Sequence, residues 1–232
     1  MRVAVLASGA GTNLQAILAY FDALGARAGA SVTLVASDRA SAAALERARG
    51  RDIPAVHLGA EHRGDAMVEL LEAHRTDVVA LAGYLRFVPS TVTRQWRGRI
   101  LNVHPSLLPA FGGAGMYGAR VHQAVLDAGV RVTGTTVHFV DEVYDRGPII
   151  AQWPVPVLPR DSVESLARRV LAVEHVVFPR ALHAVTQGVV TLGTDGHVSG
   201  IGEHLTECVG YLLSDSAIAP DVSTVFPEAR AP

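Results

Sequence analysis

The sequence predicts an α/β protein built on one mostly parallel β-sheet that carries helices on both faces. The first observation is an alternation of short apolar runs with helix-length amphipathic stretches in the N-terminal half, the β-α-β-α order that parallel sheets use. The second is length: 232 residues suit one large α/β domain, or one domain with a short appendage. The third is composition. With 49% hydrophobic and 18% charged residues, the chain can bury a sizeable core, and disorder is not expected over most of its length.

Taken in order, strands are expected at Val3–Ala7, Val32–Ala36, Ala55–Leu58, Val78–Leu81 and Ile100–His104. Helices are expected between them at Asn13–Leu24, Ser41–Ala48 and Asp65–His74. After residue 130 the pattern changes. Val132–Val140 and Ile149–Val157 read as two long strands joined by Asp141–Pro148. A helix over Ser162–Ala184 follows; Ser162 suits its N-cap, and Ser165 stands where a capping box prefers Glu. Val189–Val198 reads as a hairpin turning at Thr194-Asp195-Gly196. From about Gly200 no period is visible, and a loosely attached tail is expected. No internal repeat or low-complexity linker divides the chain.

Composition narrows the chemistry. All 20 basic residues are Arg, so Schiff-base catalysis and a phosphate-loop lysine are excluded. Any phosphate must be held by backbone N–H groups, helix ends, hydroxyls or Arg. A net charge of −2 gives no sequence-wide basic field for nucleic acid. One cysteine, Cys208, excludes an internal disulfide and a Cys-rich zinc site. The chain opens directly into strand-like Arg2-Val3-Ala4-Val5-Leu6, without a signal-peptide pattern, and no run approaches the ~20 apolar residues of a membrane span. A soluble cytoplasmic protein with no membrane partner is expected.

Three constellations are candidates for function. Ser8-Gly9-Ala10-Gly11-Thr12-Asn13 follows a strand and opens a helix, where free N–H groups and the helix dipole favour an anion. A plain strand-to-helix turn capped by Thr12 or Asn13 is the competing reading. The full dinucleotide fingerprint is absent. In Ile100-Leu101-Asn102-Val103-His104-Pro105, side chains alternate, so Asn102 and His104 share a face about 7 Å apart along the strand. Pro105 keeps His104 extended, at the carboxyl end where open α/β sheets bind ligands. An amide beside a titratable imidazole suits carbonyl chemistry: one steadies an oxyanion while the other moves a proton. Asp141-Glu142-Val143-Tyr144-Asp145 carries three carboxylates between two strands. One of them is expected to pair with a histidine and favour its cation, and the residues alone do not choose which. Of the other histidines, only His138, sharing a strand face with Thr136, is a candidate to line the site. The rest show no metal-ligand spacing, and no metal is expected. The sparse aromatic residues do not form the stacking series of a single-strand nucleic-acid binder.

Together, Ser8-Gly9-Ala10-Gly11-Thr12-Asn13-Leu14-Gln15, Leu81-Ala82-Gly83-Tyr84, Leu101-Asn102-Val103-His104-Pro105-Ser106-Leu107-Leu108-Pro109 and Val137-His138-Phe139-Val140 resemble the folate-dependent formyltransferases, over roughly Met1 to Val190. The opening run points within them to the phosphoribosylglycinamide formyltransferases of purine biosynthesis. The resemblance implies a Rossmann-like formyltransferase domain over residues 1–199, with a tail over 200–232. It implies 10-formyltetrahydrofolate as cosubstrate and glycinamide ribonucleotide as acceptor, in a monomer or homodimer. It assigns catalysis to Asn102, His104 and Asp145, with Asn102 on the oxyanion and His104 kept protonated by Asp145. It places the ribonucleotide on Gly11, Thr12, Asn13 and Glu174. It lines the folate pocket with Arg63, Leu85, Arg86, Phe87 and Val88, with Asn102, and with Asp141, Glu142, Val143, Tyr144 and Asp145. The segment Ala110–Gly118 departs from the family form in being longer and richer in Gly, and a mobile lid is expected there. The tail has no counterpart in the family.

The nearest rival is a hydrolase that releases formate from the same folate, with water as acceptor; the Gly9–Asn13 loop argues against it, since water needs no phosphate anchor. Formylation of a charged tRNA or a sugar nucleotide is a second rival. The tRNA enzymes usually carry an extra basic domain, which this chain lacks the length and charge for. A non-catalytic nucleotide-binding module would have no use for Asn102, His104 and Asp145 together.

Overall fold

The computed structural model describes residues 1–59 and 64–200. Its main sheet has seven strands: β1 (Arg2–Leu6), β2 (Ser31–Ser37), β3 (Ala55–His57), β4 (Val78–Leu81), β5 (Ile100–His104), β6 (Val132–Phe139) and β7 (Ile149–Pro156). They lie in the order β3-β2-β1-β4-β5-β6-β7. The first five are parallel, and β6 and β7 run antiparallel to their predecessors. Each expected strand is present, with ends shifted by a residue or so.

The helices are α1 (Thr12–Leu24), α2 (Ala43–Arg49), α3 (Asp65–Ala73), α4 (Ser90–Gln95), α5 (Ala119–Asp127) and α6 (Val163–Thr186). Alternation along β1 shows how they clothe the sheet. Val3, Val5 and Ala7 join Leu14, Ile17, Leu45, Val125, Val170 and Phe178 from α1, α2, α5 and α6 in one apolar cluster. Ala4 and Leu6 join Met67, Leu71 and Val92 from α3 and α4 in a second, on the opposite face. The central strands β1, β4 and β5 are thus buried on both sides, as a doubly covered sheet requires.

Two helices, α4 and α5, were not among the sequence expectations. The first is only six residues long, too short for its period to show. The second follows the Gly-rich 110–118 stretch and buries just Val121, His122 and Val125. Helix α6 begins with a complete capping box in which Ser165 takes the part of Glu: Ser165 N–H donates to Ser162 Oγ, and Ser162 N–H donates to Ser165 Oγ. The expected hairpin is a two-residue ladder, Thr191–Leu192 with Val198–Ser199. The expected tail from Gly200 lies almost wholly outside the described residues.

Among the described residues, no helix is long and apolar enough to cross a membrane.

Candidate active site

The site forms where the sheet turns from parallel to antiparallel. Strand β5 has β4 on one side and β6 on the other, and register sets Asn102 opposite His138 and His104 opposite Thr136. As the two-residue period dictates, Asn102 and His104 share one face, while Leu101 and Val103 enter the core on the other. The chain leaving β6 folds back so that Asp145, in the left-handed region at φ 53°, returns its carboxylate to both histidines.

Distances define the proton inventory. Asp145 Oδ2 lies 3.6 Å from His104 Nδ1, and Oδ1 lies 3.7 Å from His138 Nε2. The Gly113 N–H donates to Asp145 Oδ2 at 2.8 Å. His104 Nε2–H donates to the Phe111 carbonyl at 2.9 Å, so the other ring nitrogen, Nδ1, is the one that faces Asp145. His138 Nδ1–H donates to the Phe139 carbonyl at 2.7 Å. Its Nε2 then accepts from Asn102 Nδ2 at 3.1 Å, which fixes the amide's orientation and leaves the second amide hydrogen for a ligand. Burial lowers the His138 pKa against the weaker opposing pull of Phe139 and Asp145, favouring the neutral acceptor form.

The turn after β5 is held from β6 and β7. Thr136 Oγ1 donates to the Ser106 carbonyl and accepts from Leu108 N–H, and Gln152 Nε2 donates to the Leu108 carbonyl. The Leu108–Pro109 peptide is cis. A Cβ at Gly112 would stand 2.4 Å from Leu108 Cδ2 and 3.2 Å from Asp145 Cβ, so the neighbouring side chains would have to shift. The Gly-rich segment expected as a lid supplies a partner each to His104 and Asp145, the Phe111 carbonyl and the Gly113 N–H.

A cavity of about 590 Å³ opens over this cluster. Asn102, His104, Asp145, Asn13, Glu174, Leu85, Arg86, Phe87, Val88, Asp141, Val143 and Tyr144 line it, bringing together most of the residues singled out in the sequence. Gly11, Thr12 and Glu142 are not among its lining residues, and Arg63 lies outside the described residues. At one end, Asn13 Nδ2 donates to Glu174 Oε2 at 2.7 Å. Burial pushes the Glu174 carboxyl up to about 7, against the smaller opposite effect of that bond. Asn13 Oδ1 is buried with no partner among the described residues. Gly11 caps α1 in the left-handed conformation at φ 70°, and no side chain caps this helix start.

The sequence reading undervalued two histidines and missed one wall. His138 is central because of cross-strand register, which spacing does not reveal. His122, on α5, lines the cavity with its Nδ1 unpartnered; burial and then the neighbouring His104 lower its pKa. Val163, Ala167 and Leu171 line it from one side of α6, beside the expected Glu174, and their i, i+4, i+8 spacing was the available signal. Among the described residues, no group of three or more His, Cys, Asp or Glu is set to hold a metal ion.

A family model described as formyl transferase matches residues 1–182. The chain is 44% identical over 208 residues to the trifunctional purine biosynthetic protein adenosine-3 of Bos taurus, covering 87% of this chain and 20% of that protein. It thus spans about a fifth of the trifunctional relatives' length. It is 37% identical over 202 residues to the chloroplastic phosphoribosylglycinamide formyltransferase of Arabidopsis thaliana, covering 84% of this chain and 68% of that one. Among solved structures, glycinamide ribonucleotide transformylase 1 from Symbiobacterium toebii superposes with a TM-score of 0.78 at 42% identity, over 86% of this chain and 93% of that one. A formyltetrahydrofolate deformylase from Pseudomonas syringae superposes with a TM-score of 0.76 at 30% identity, over 85% of this chain and 65% of that one.

Proposed function

The chain belongs to the formyl transferase family, and from that premise we propose that it moves the formyl group of 10-formyltetrahydrofolate to the amine of glycinamide ribonucleotide. The observation that carries the acceptor is the shape of the site. The cavity holding Asn102, His104 and Asp145 also reaches Asn13 and Glu174, beside a helix start that no side chain caps. Such an end suits a phosphorylated, hydroxyl-bearing second substrate. A formate-releasing hydrolase needs only water there.

In this reading the folate lies against Leu85, Arg86, Phe87 and Val88 and the 141–145 loop, with Arg63 and Glu142 as outer contacts. The ribonucleotide phosphate sits on the N–H groups of Gly11, Thr12 and Asn13, and its ribose meets Glu174. The acceptor amine attacks the formyl carbon, forming a C–N bond and a tetrahedral oxyanion. The amide hydrogen of Asn102 that His138 leaves free stabilises that oxygen, and the proton on His104 Nδ1 assists, balanced by Asp145. Collapse breaks the bond from carbon to the folate nitrogen. That nitrogen ends with a proton, and the acceptor nitrogen loses one, so charge and atoms balance.

Supplying the formyl folate with and without glycinamide ribonucleotide, and following formylated product against formate, tests the reading. Product should form only with the amine present. Formate release at the same rate in both reactions would establish the hydrolase instead.

A further inference from the structure

Asp38 lies just beyond the end of β2 and does not line the cavity, yet its carboxylate is buried, with a side chain only 7% exposed. Both oxygens are engaged across the top of the sheet. Oδ1 accepts from Ser8 Oγ at 2.5 Å, and Oδ2 lies 3.2 Å from Arg86 Nε. Ser8 is itself a junction. Its hydroxyl accepts from the Leu85 N–H at 2.9 Å, and its own N–H donates to the Gly83 carbonyl at 3.0 Å. The carboxyl ends of β1, β2 and β4 are thus joined through one buried acid, and the strand that leads into the Gly9–Asn13 loop is tied to the 83–88 wall.

The charge has a clear consequence. A buried carboxylate with one hydroxyl donor needs a cation, and Arg86 is its recorded ion-pair partner. Arg86 lines the cavity and keeps about half its side chain exposed, with Nε turned to Asp38. We propose that Asp38 is a positioning residue for the folate side of the reaction: through Ser8 it fixes the backbone of the 83–86 wall, and by ion pairing it aims the Arg86 guanidinium at the negatively charged part of the formyl donor. This rests on the formyl-transfer reading above.

Steady-state kinetics of Asp38→Asn, Arg86→Gln and the double variant, with each substrate varied in turn, test the proposal. Asparagine keeps the volume and can still bond Ser8, but it lacks the charge that pairs with Arg86. The KM for the formyl folate should rise roughly ten-fold in each single variant, the cost of one charge-assisted contact. The kcat and the KM for the ribonucleotide should hold within about two-fold. The double variant should be no worse than the poorer single one, because both changes remove the same contact. An unchanged folate KM in either single variant, additive effects in the double, or equal damage to all three parameters would overturn the proposal. Arg86 is half-exposed, so Arg86→Gln remains decisive if Asp38→Asn does not fold. Absence of formyl transfer in the unmodified protein would instead remove the underlying function.

Discussion

The proposed mechanism turns on the protons of a few side chains. His104 commits Nε2–H to the Phe111 carbonyl, so Nδ1, toward Asp145, is the ring nitrogen the proposed proton transfer would use. His104→Ala should therefore abolish turnover while circular dichroism and the thermal midpoint stay near the parent's; near-normal turnover would remove His104 from the mechanism. Asp145→Asn keeps the shape and the acceptor for Gly113 N–H but loses the charge. The kcat should fall roughly 10²–10⁴-fold, with both KM values changing much less. Glu174 makes a different prediction. Its carboxyl is held at about 7 in the fold against 4.5 when unperturbed. Below pH 4.5 both folded and unfolded chains keep the proton, and its contribution to stability is fully present. Between there and about 7 only the fold keeps it, so stability falls as pH rises, by on the order of 3 kcal/mol in total. Urea unfolding at pH 5 and pH 8 should show this drop in the parent and lose it in Glu174→Gln; parallel pH profiles would count against a buried, titrating Glu174. At this scale Asn102 and His104 were legible because strand alternation alone places them together. His138 was only half legible, since its bond to Asn102 depends on cross-strand register. The choice of Asp145 over Asp141 and Glu142 came from family resemblance. Its physical basis is a left-handed backbone and the Gly113 N–H, neither of which is visible in residue types.

At the scale of elements, the loop into α1 has two duties. Gly11 is needed for its positive φ and because a Cβ would stand 2.8 Å from Ala44 on α2. Gly11→Ala should therefore cost about 1–3 kcal/mol in urea unfolding, whatever it does to phosphate binding. A change at Gly11 thus reports packing first, and Asn13 is the better probe of the ribonucleotide end. The start of α6 was readable from Ser162, while the reciprocal partner was not a Glu but Ser165. The reason lies nearby: Ser165 Oγ also donates to Asp161, which makes a two-point ion pair with Arg169. A longer acid at that position would face Asp161. Ser162→Ala should lose about 1 kcal/mol, measurable as a shift in the denaturation midpoint without a change in slope. Short helices were the elements that escaped the sequence. Helix α4 has too few turns to show a period, and α5 hides behind a Gly-rich approach.

For the whole molecule, the existence and order along the chain of the seven strands were legible from their short apolar runs. Their spatial order, β3-β2-β1-β4-β5-β6-β7, was not. It depends on which helices cross which face, and residue types do not reveal that. The same architecture serves a deformylase of Pseudomonas syringae as well as transformylases, so the fold does not choose between amine and water. In the proposed function that choice falls to the end of the cavity where Asn13 meets Glu174.

These two residues stand 161 positions apart in the chain, yet one hydrogen bond of 2.7 Å joins them. The strand with Asn102 and His104, the 83–88 wall and the Asp145 loop are all synthesised before α6 emerges. In the proposed function the donor's half of the site is drawn from residues 83–145, and the acceptor's half is closed by this long-range contact with α6. Closing that end needs both extremes of the folded domain at once, for the helix that brings Glu174 also packs Val170, Val173 and Phe178 into the core beneath β1 and β5.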